Sequence, residues 1–320
     1  MCTTSNNTKF NIAQRIAIEA RVTALARRDE DIKTRVGPIL KQLWNPEREL
    51  HHVSDLSAFQ ILRDRFPNFI QVIDLWEATA IGLSRVGLPF QSAPVLLVGD
   101  PGLGKTFFVK EAAKALALPY YELSMATATA SFLISGGNLQ WAQGEPGFVA
   151  KSLAESAMAN PVLLLDEIDK VGGENRYDPL GPFYPLLEPH SAKRFRDEAL
   201  EVELDASKVI WVATANDINN IPSPIRSRMR VFEITPPDPP QMRQVIKSVY
   251  QGILDNQTYG SLLDAEIHED AIEVLSRLGP RLVRQSLEEA SLHVIRDNRS
   301  LIQAGDIKVH QERRTPYGFL

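Results

Sequence analysis

The sequence predicts an α/β fold in which a parallel five-stranded sheet is preceded by a helical N-terminal region and followed by a small all-helical domain. Five short apolar runs alternate with helical stretches in the middle of the chain. This alternation is typical of strands that are buried on both faces of a parallel sheet. After a proline-rich segment at 236–240 the strand runs stop, and helical patterns alone follow.

The composition of the chain excludes several classes of protein. The chain has 320 residues, of which 44% are hydrophobic and 23% charged, close to the averages of globular proteins. A single cysteine, Cys2, excludes an intrachain disulfide, and the net charge of −5 disfavours a coat for nucleic acid or membrane. No apolar run approaches the roughly 18 residues of a membrane span, and no secretory signal is visible. We therefore expect a cytoplasmic protein that does not bind membranes.

The N-terminal region, residues 1–60, is predicted to be helix and linker. Apolar residues recur every fourth position between 10 and 33, which indicates one helix. Gly37, Pro38 and Pro46 favour an irregular linker over 36–55, and a second helical region, broken near Pro67, is expected at 57–86. The simplest interpretation of this region is packing or oligomerisation without chemistry.

Two further domains and a tail are expected. The large α/β domain covers 61–236, with strands predicted at 95–98, 120–123, 162–165, 209–213 and 231–234, and helices near 105–117, 147–159, 180–188 and 223–230. The helical domain covers 237–310, with helices near 241–254, 270–278 and 281–297, and 311–320 form the tail. Asp238 followed by Gln241 is the pattern of a capping box at a helix start.

A phosphate-binding loop follows the first strand of the sheet. The segment GDPGLGKT matches G-x-x-x-x-G-K-[ST] between a predicted strand and a predicted helix. The nucleotide-binding residues it predicts are Gly99, Asp100, Pro101, Gly102, Leu103, Gly104, Lys105 and Thr106. We expect Lys105 to reach the β- and γ-phosphates of ATP, and Thr106 to hold Mg²⁺.

Polar residues at other strand ends predict a hydrolysis centre. The apolar run 162–165 ends in Asp166 and Glu167, which suit Mg²⁺ coordination and activation of the attacking water. Asn216 follows the fourth run and can hydrogen-bond water or the γ-phosphate. Further on, an arginine among Arg226, Arg228 and Arg230 would suit a finger that stabilises transition-state charge on a neighbouring subunit's nucleotide.

These motifs together resemble the AAA+ ATPases, and most closely the ATPase module of Lon-type proteases. The segments LLDEIDK at 164–170, VATAN at 212–216 and IPSP at 221–224 carry the resemblance, which covers about 60–310. It implies that Asn216 is sensor 1 and Arg228 the finger, with Arg226 as a rival because Ser227 replaces the usual acidic neighbour. It also implies that Arg281 is sensor 2, although Pro280 departs from the pattern and Arg284 competes.

The same resemblance places Trp141 at the aromatic position of a pore loop that grips polypeptide. A tryptophan flanked by glycine-rich sequence could instead be an anchored core residue, so both interpretations stay open at this point. Gln143 and Glu145 make the loop more polar than is usual in the family, which indicates that the substrate differs.

The sequence thus predicts a stand-alone Lon-like AAA+ ATPase that works with ATP and Mg²⁺ as a homo-oligomer, a hexamer-like ring or spiral. It would remodel, unfold or translocate an unknown protein client without protease activity, since we expect no Ser–Lys peptidase domain in these residues. Two alternatives remain: an ATP-dependent assembly switch or scaffold subunit, and a motor acting on DNA. The acidic pI of about 5.8 disfavours nucleic acid as a partner.

Overall fold

The N-terminal region combines two short strands with two helices. In the computed structural model, which describes residues 8–128, 130–141, 144–171 and 178–308, strands β1 (Thr8–Asn11) and β2 (Glu47–Leu50) pair antiparallel. Helices α1 (Arg15–Leu25) and α2 (Glu30–Gln42) lie between them in the chain.

The prediction of one helix over 10–33 was wrong, and the irregular linker predicted over 36–55 was wrong for its first part, 36–42, which is helical. Helix α2 continues through Gly37 and Pro38. Pro38 cannot donate a helical hydrogen bond, which ordinarily costs about 3 kcal/mol. The neighbouring side chains of Val36, Ile39 and Leu40 are buried, so the packing of one apolar face outweighs that loss.

Two further helices precede the sheet. Helices α3 (Ser57–Arg65) and α4 (Ile70–Arg85) are separated by a short turn that begins at Pro67, which confirms the predicted break. Helix α4 buries Val72, Ile73, Trp76 and Ala80, which lie along one face.

Seven more strands follow. They are β3 (Val95–Val98), β4 (Tyr120–Ser124), β5 (Val162–Asp166), β6 (Phe195–Arg196), β7 (Glu203–Leu204), β8 (Ile210–Ala215) and β9 (Arg230–Glu233). Five of them form one parallel sheet in the order β4-β5-β8-β3-β9. All five predicted strands are confirmed, whereas the antiparallel pair β6–β7 was not predicted.

Nine further helices lie among these strands and after them in the described part of the chain. They are α5 (Lys105–Ala115), α6 (Phe132–Ser135), α7 (Phe148–Glu155), α8 (Phe183–Leu186), α9 (Pro189–Ala192), α10 (Ser223–Arg226), α11 (Pro239–Asn256), α12 (Glu269–Leu275) and α13 (Pro280–Arg296). The helices expected at 180–188 and 223–230 are shorter than predicted. Pro189 begins a new helix after the first, and the backbone from Arg230 onward joins the sheet as β9.

The chain divides into two compact units, each with its own apolar core. One takes the described residues of 1–62, 69–101 and 105–234, and the other those of 63–68, 102–104 and 235 onward. The capping box predicted for α11 is confirmed, because Asp238 and Gln241 exchange side-chain and backbone hydrogen bonds. The predicted tail, 311–320, lies outside the described residues.

The part of the chain that the structure describes contains no helix with both the length and the apolar character needed to cross a bilayer.

The connection between β6 and β7 is organised around a buried carboxylate. Asp197 is fully buried, and its Oδ1 accepts hydrogen bonds from the backbone N–H groups of Ala199 (3.0 Å) and Leu200 (2.9 Å). Its Oδ2 accepts from the N–H of Gly147 at 2.8 Å, just before α7. Burial raises the pKa of Asp197 to about 6, although the three backbone donors act in the opposite direction.

We expect Asp197 to make folding stability depend on pH. Because its pKa is higher in the folded protein than the usual 3.8, its stabilising contribution is complete below about pH 4 and is lost as the pH rises through about 6. The variant Asp197→Asn has no such titration. The free energy of unfolding of the wild type relative to this variant should therefore fall by on the order of 2–3 kcal/mol between about pH 4 and pH 7.

Urea denaturation of both proteins at the two pH values measures this difference. The raised pKa of Asp197 would be contradicted if the difference in the free energy of unfolding between the two proteins did not change with pH. It would also be contradicted if the wild type became more stable than the variant as the pH rises.

Candidate active site

The phosphate-loop motif lies between the carboxyl end of β3 and the start of α5. Gly102 and Gly104 adopt φ values of +84° and +87°, a backbone conformation that residues with side chains rarely adopt. The C-terminal ends of β3 and β8 are level, because Val98 pairs with Ala215. A glycine-rich loop that leads into a helix N-terminus favours binding of anions such as phosphate.

Lys105, the first residue of α5, is buried and held by three acceptors. Its Nζ donates to the carbonyl oxygens of Gly99 (2.6 Å) and Asp100 (3.0 Å) and to Oδ1 of Asn216 (3.0 Å). Burial lowers the pKa of Lys105, and nearby carboxylates, those of Asp169 and Asp166 foremost, oppose this effect. The structure thus brings two predicted site residues, Lys105 and Asn216, into direct contact.

Asp166, the last residue of β5, accepts two short hydrogen bonds at one oxygen. Its Oδ1 lies 2.6 Å from Oγ1 of Thr106 and 2.6 Å from Oγ1 of Thr214. The Thr214 hydroxyl also accepts from the backbone N–H of Glu167 at 2.9 Å. Glu167 itself has φ +56°, a left-handed conformation that is strained for a residue with a side chain. Thr214 therefore fixes both acidic residues.

The oxygens of Thr106 and Asp166 fit a magnesium ion. Hydroxyl and carboxylate oxygens are hard donors of the kind that Mg²⁺ prefers. In phosphate-loop enzymes the metal is held by the loop Ser/Thr and by an Asp at a neighbouring strand end. The structure already places these two groups in contact.

Sequence reasoning missed two buried polar residues of this region. Thr214 could have been found as a hydroxyl within the apolar strand β8, where its side chain has to meet another polar group. Asp169 is also buried, and its Oδ2 accepts from the backbone N–H of Asp217 at 3.1 Å. Asp169 therefore orients the turn that follows Asn216.

Arg228 lies beside an acid, Glu188. Its Nε and Nη2 each lie 2.7 Å from Oε1 of Glu188, which follows α8, and its Nη1 donates to the carbonyl oxygen of Pro224. The Arg228 side chain is 29% exposed. The guanidinium is therefore held in one orientation near the surface.

Trp141 is exposed rather than part of the core. The exposed fraction of the residue is 48%, and its ring meets Phe132 edge-to-face with 6.3 Å between ring centroids. Residues 142 and 143 of the predicted loop lie outside the described residues. Because the residue is half exposed, the anchored-core interpretation of Trp141 does not apply.

Arg281 belongs to the second unit, in the first turn of α13 directly after Pro280. Arg284 lies one turn further, and its Nε donates to Oε1 of Glu288 at 3.0 Å. Both arginines are exposed on this helix. The role of either one as a nucleotide sensor stays a prediction.

Comparison with known proteins agrees with this geometry. Residues 95–236 match the AAA family, the ATPase family associated with various cellular activities. Lon protease of Fusobacterium nucleatum is 30% identical over 240 residues, which cover 72% of this chain. Lon protease of Mycolicibacterium smegmatis is 34% identical over 214 residues, which cover 63% of this chain. The chain contains an AAA domain related to the ATPase module of Lon proteases.

The likeness concerns only part of these relatives. The matched region spans 30% of the Fusobacterium nucleatum protein and 27% of the Mycolicibacterium smegmatis protein. Among solved structures, two variants of RuvB from Thermotoga maritima give TM-scores of 0.50 and 0.51 at 17% and 18% identity. Each comparison covers 74% of this chain, and 67% and 66% of the respective RuvB chains. At this identity the likeness to RuvB concerns the fold alone.

Membership of the AAA+ ATPases implies nucleotide binding, usually with Mg²⁺. Lon proteases and other AAA+ proteins typically assemble as rings.

The hydroxyl of Thr214 gives the first test. Thr214→Val keeps the shape of the side chain but leaves the Glu167 N–H without its acceptor and removes one donor to Asp166. We expect ATP turnover to fall at least about tenfold with little change in nucleotide affinity, and the free energy of unfolding to fall by about 1–3 kcal/mol. Steady-state ATPase assays, nucleotide titration and urea denaturation measure the three quantities.

Thr214→Ser is the matched control, because it keeps the hydroxyl and should stay close to the wild type in turnover. Wild-type turnover by the valine variant would exclude a role for this hydroxyl.

Proposed function

We propose that this AAA+ protein hydrolyses ATP in a homo-oligomer and uses the reaction to remodel, unfold or translocate a protein client. The observation that carries this proposal is the cluster at the carboxyl edge of the sheet. There Lys105 contacts Asn216, Asp166 contacts both Thr106 and Thr214, and Glu167 follows directly.

Each residue of the cluster has a role in this proposal. Lys105 neutralises charge on the β- and γ-phosphates, and Thr106 and Asp166 hold Mg²⁺, which when bound offsets further phosphate charge. The Glu167 carboxylate accepts a proton from the attacking water. Asn216 positions this water or the γ-phosphate. In such a site, positioning and electrostatic stabilisation account for most of the catalysis.

Arg228 would complete the active site of a neighbouring subunit. The ion pair with Glu188 supports this role, because a carboxylate that holds an arginine near the surface keeps the guanidinium in a defined direction. A finger of this kind stabilises charge that develops in the transition state. ATP hydrolysis would then require an assembly, which agrees with the ring architecture of AAA+ relatives.

Trp141 would contact the client. A large aromatic side chain that is half exposed on a loop can pack on a polypeptide with little regard for its sequence. We further propose that these 320 residues cleave no peptide bond, since the family match at 95–236 is to an ATPase.

A trapping experiment tests the proposed function. Glu167→Gln should bind ATP normally but lose at least about 10²-fold in turnover, because the amide cannot accept the proton of water. This variant should retain fluorescein-labelled casein, an unfolded protein, in the presence of ATP. The double variant Glu167→Gln with Trp141→Ala should lose the casein and keep ATP binding. Fluorescence anisotropy and nucleotide titration provide the readouts.

Lys105→Ala is the control, and it should lose both ATP and casein. Near-wild-type hydrolysis by Glu167→Gln would contradict the catalytic assignment. If the wild type hydrolyses ATP but Glu167→Gln does not retain casein, the result would instead favour an assembly switch. ATP-dependent release of casein fragments would contradict the proposed absence of peptidase activity.

Mixing defective subunits tests the finger. Arg228→Ala should reduce turnover by about 10³-fold or more, and mixing it with Lys105→Ala should restore part of the activity, because one intact site can form between two different subunits. Arg226→Ala is the matched control and should remain near wild-type turnover. ATPase rates across mixing ratios give the result. The opposite ranking of the two arginine variants would assign the finger to Arg226.

A further inference from the structure

We propose that Arg35, on helix α2 of the N-terminal region, is a positioning residue for the loop that carries Trp141. This inference deepens the proposed function and rests on it for its consequence, namely that the N-terminal region controls how the loop meets a client. It also assigns a role to a region whose sequence predicted only packing or oligomerisation.

The guanidinium of Arg35 bonds to main-chain carbonyl groups of Trp141 and Gly144, the described residues that flank 142 and 143. Its Nη1 donates to the carbonyl oxygen of Trp141 at 3.3 Å and also to the carbonyl oxygen of Gly144. The N–H of Gly144 also donates to the Trp141 carbonyl oxygen at 2.9 Å. One charged group from a distant part of the sequence therefore holds the main chain at both Trp141 and Gly144.

Arg35 is itself held by an ion pair and by the packing of its helix. Its Nη2 lies 2.8 Å from the carboxylate of Asp31, one helical turn earlier, and the Arg35 side chain is only 19% exposed. On the same helix, Val36 and Leu40 are buried in the core. The donor thus has a fixed direction, and charge-assisted hydrogen bonds from such a donor are stronger than neutral ones.

The rest of the loop is closely packed. The N–H of Gly137 donates to the carbonyl oxygen of Glu145 at 2.9 Å and so joins the two ends of the loop. A Cβ atom at Gly144 would lie 2.2 Å from the carbonyl oxygen of Asn138, so no side chain fits there without movement of the backbone. The described residues on either side of 142 and 143 are therefore held in place by backbone hydrogen bonds and close packing, and Trp141 is half exposed among them.

A second arginine of the N-terminal region supports the end of the loop. Arg21, on α1, is 7% exposed; its Nη2 donates to the Ala199 carbonyl at 3.0 Å, and its Nη1 pairs with Glu201 at 2.8 Å. These contacts hold the segment that follows Asp197, and the Asp197 carboxylate accepts from the N–H of Gly147 at 2.8 Å. The N-terminal region therefore fixes the loop directly through Arg35 and indirectly through Arg21.

A movement of α2 would thus be transmitted to Trp141 by hydrogen bonds rather than by general packing. The described contacts of Arg35 are with Asp31, Trp141 and Gly144 and not with Lys105 or Asp166. Substitution of Arg35 or Asp31 should therefore change the loop and leave basal ATP hydrolysis intact. This separation makes the inference testable against a merely structural role.

The test compares Arg35→Ala, Arg35→Lys and Asp31→Asn in the full chain. Hydrogen–deuterium exchange of peptides covering 136–147 should be about 10- to 100-fold faster in Arg35→Ala, the range expected when charge-assisted hydrogen bonds are lost. Arg35→Lys keeps one donor and Asp31→Asn keeps the guanidinium, so both should give intermediate rates. Basal ATPase should stay within about twofold of the wild type. In the Glu167→Gln background, the affinity for labelled casein should fall in the same order as the loop rates rise.

Lys33→Ala is the matched control, because it removes a charge from the same helix whose partner is Glu30, away from the loop. It should leave both loop exchange and casein affinity unchanged. Unchanged exchange at 136–147 in Arg35→Ala would overturn the positioning role, and so would a general rise in exchange throughout the chain. Faster loop exchange with unchanged casein affinity would overturn the control of client binding. The proposed function fails separately, if Trp141→Ala leaves casein retention intact.

Discussion

The geometry of the candidate active site depends on one carboxylate oxygen. Oδ1 of Asp166 accepts hydrogen bonds from Thr106 at the start of α5 and from Thr214 in β8, so it ties together three neighbouring parts of the sheet edge. These distances require β5, β8 and β3 to be adjacent, parallel and level at their carboxyl ends, as the pairings of Leu165 with Ala213 and of Val98 with Ala215 provide. A shift of the register by one residue would turn every side chain of the shifted strand to the opposite face of the sheet, and the acid and both hydroxyls would separate.

The sheet and the phosphate loop could be predicted because both have local signals. A strand buried on both faces needs a continuous apolar run, and 162–165 is such a run, ending where two acids begin. The loop needs glycine where φ is positive, as at Gly102 and Gly104, and a lysine at the following helix start. Level parallel strand ends then bring Lys105, Asp166 and Asn216 to the same edge without any knowledge of the remaining fold. The capping box at Asp238 was predictable for the same reason, since both partners lie within one turn.

Features that depend on distant residues could not be predicted. Helix α2 continues through Pro38 because its apolar face is buried against other parts of the chain, and local propensity gives no indication of that packing. The short strands β6 and β7 have two residues each, too few for a recognisable alternation, and the buried Asp197 between them appears in the sequence as an ordinary surface acid. Arg35 is the extreme case. It is separated from Trp141 by 106 residues in sequence, and nothing near it in the chain distinguishes it from a solvent-exposed helical arginine.

The burial of the charged groups divides them into two kinds. Arg21 is almost fully buried, so removing its acceptors would leave a buried charge unpaired, which is costly; it belongs to the fixed framework. The pair between Arg228 and Glu188 is different, since the two side chains are 29% and 46% exposed, and pairs in such settings contribute only about 0–1 kcal/mol. In the finger role that we propose for it, Arg228 would therefore exchange Glu188 for a phosphate at little cost in free energy. A finger that acts on another subunit's nucleotide needs this combination, because it has to be oriented before the subunits meet and yet be free to change its anionic partner in the assembled site.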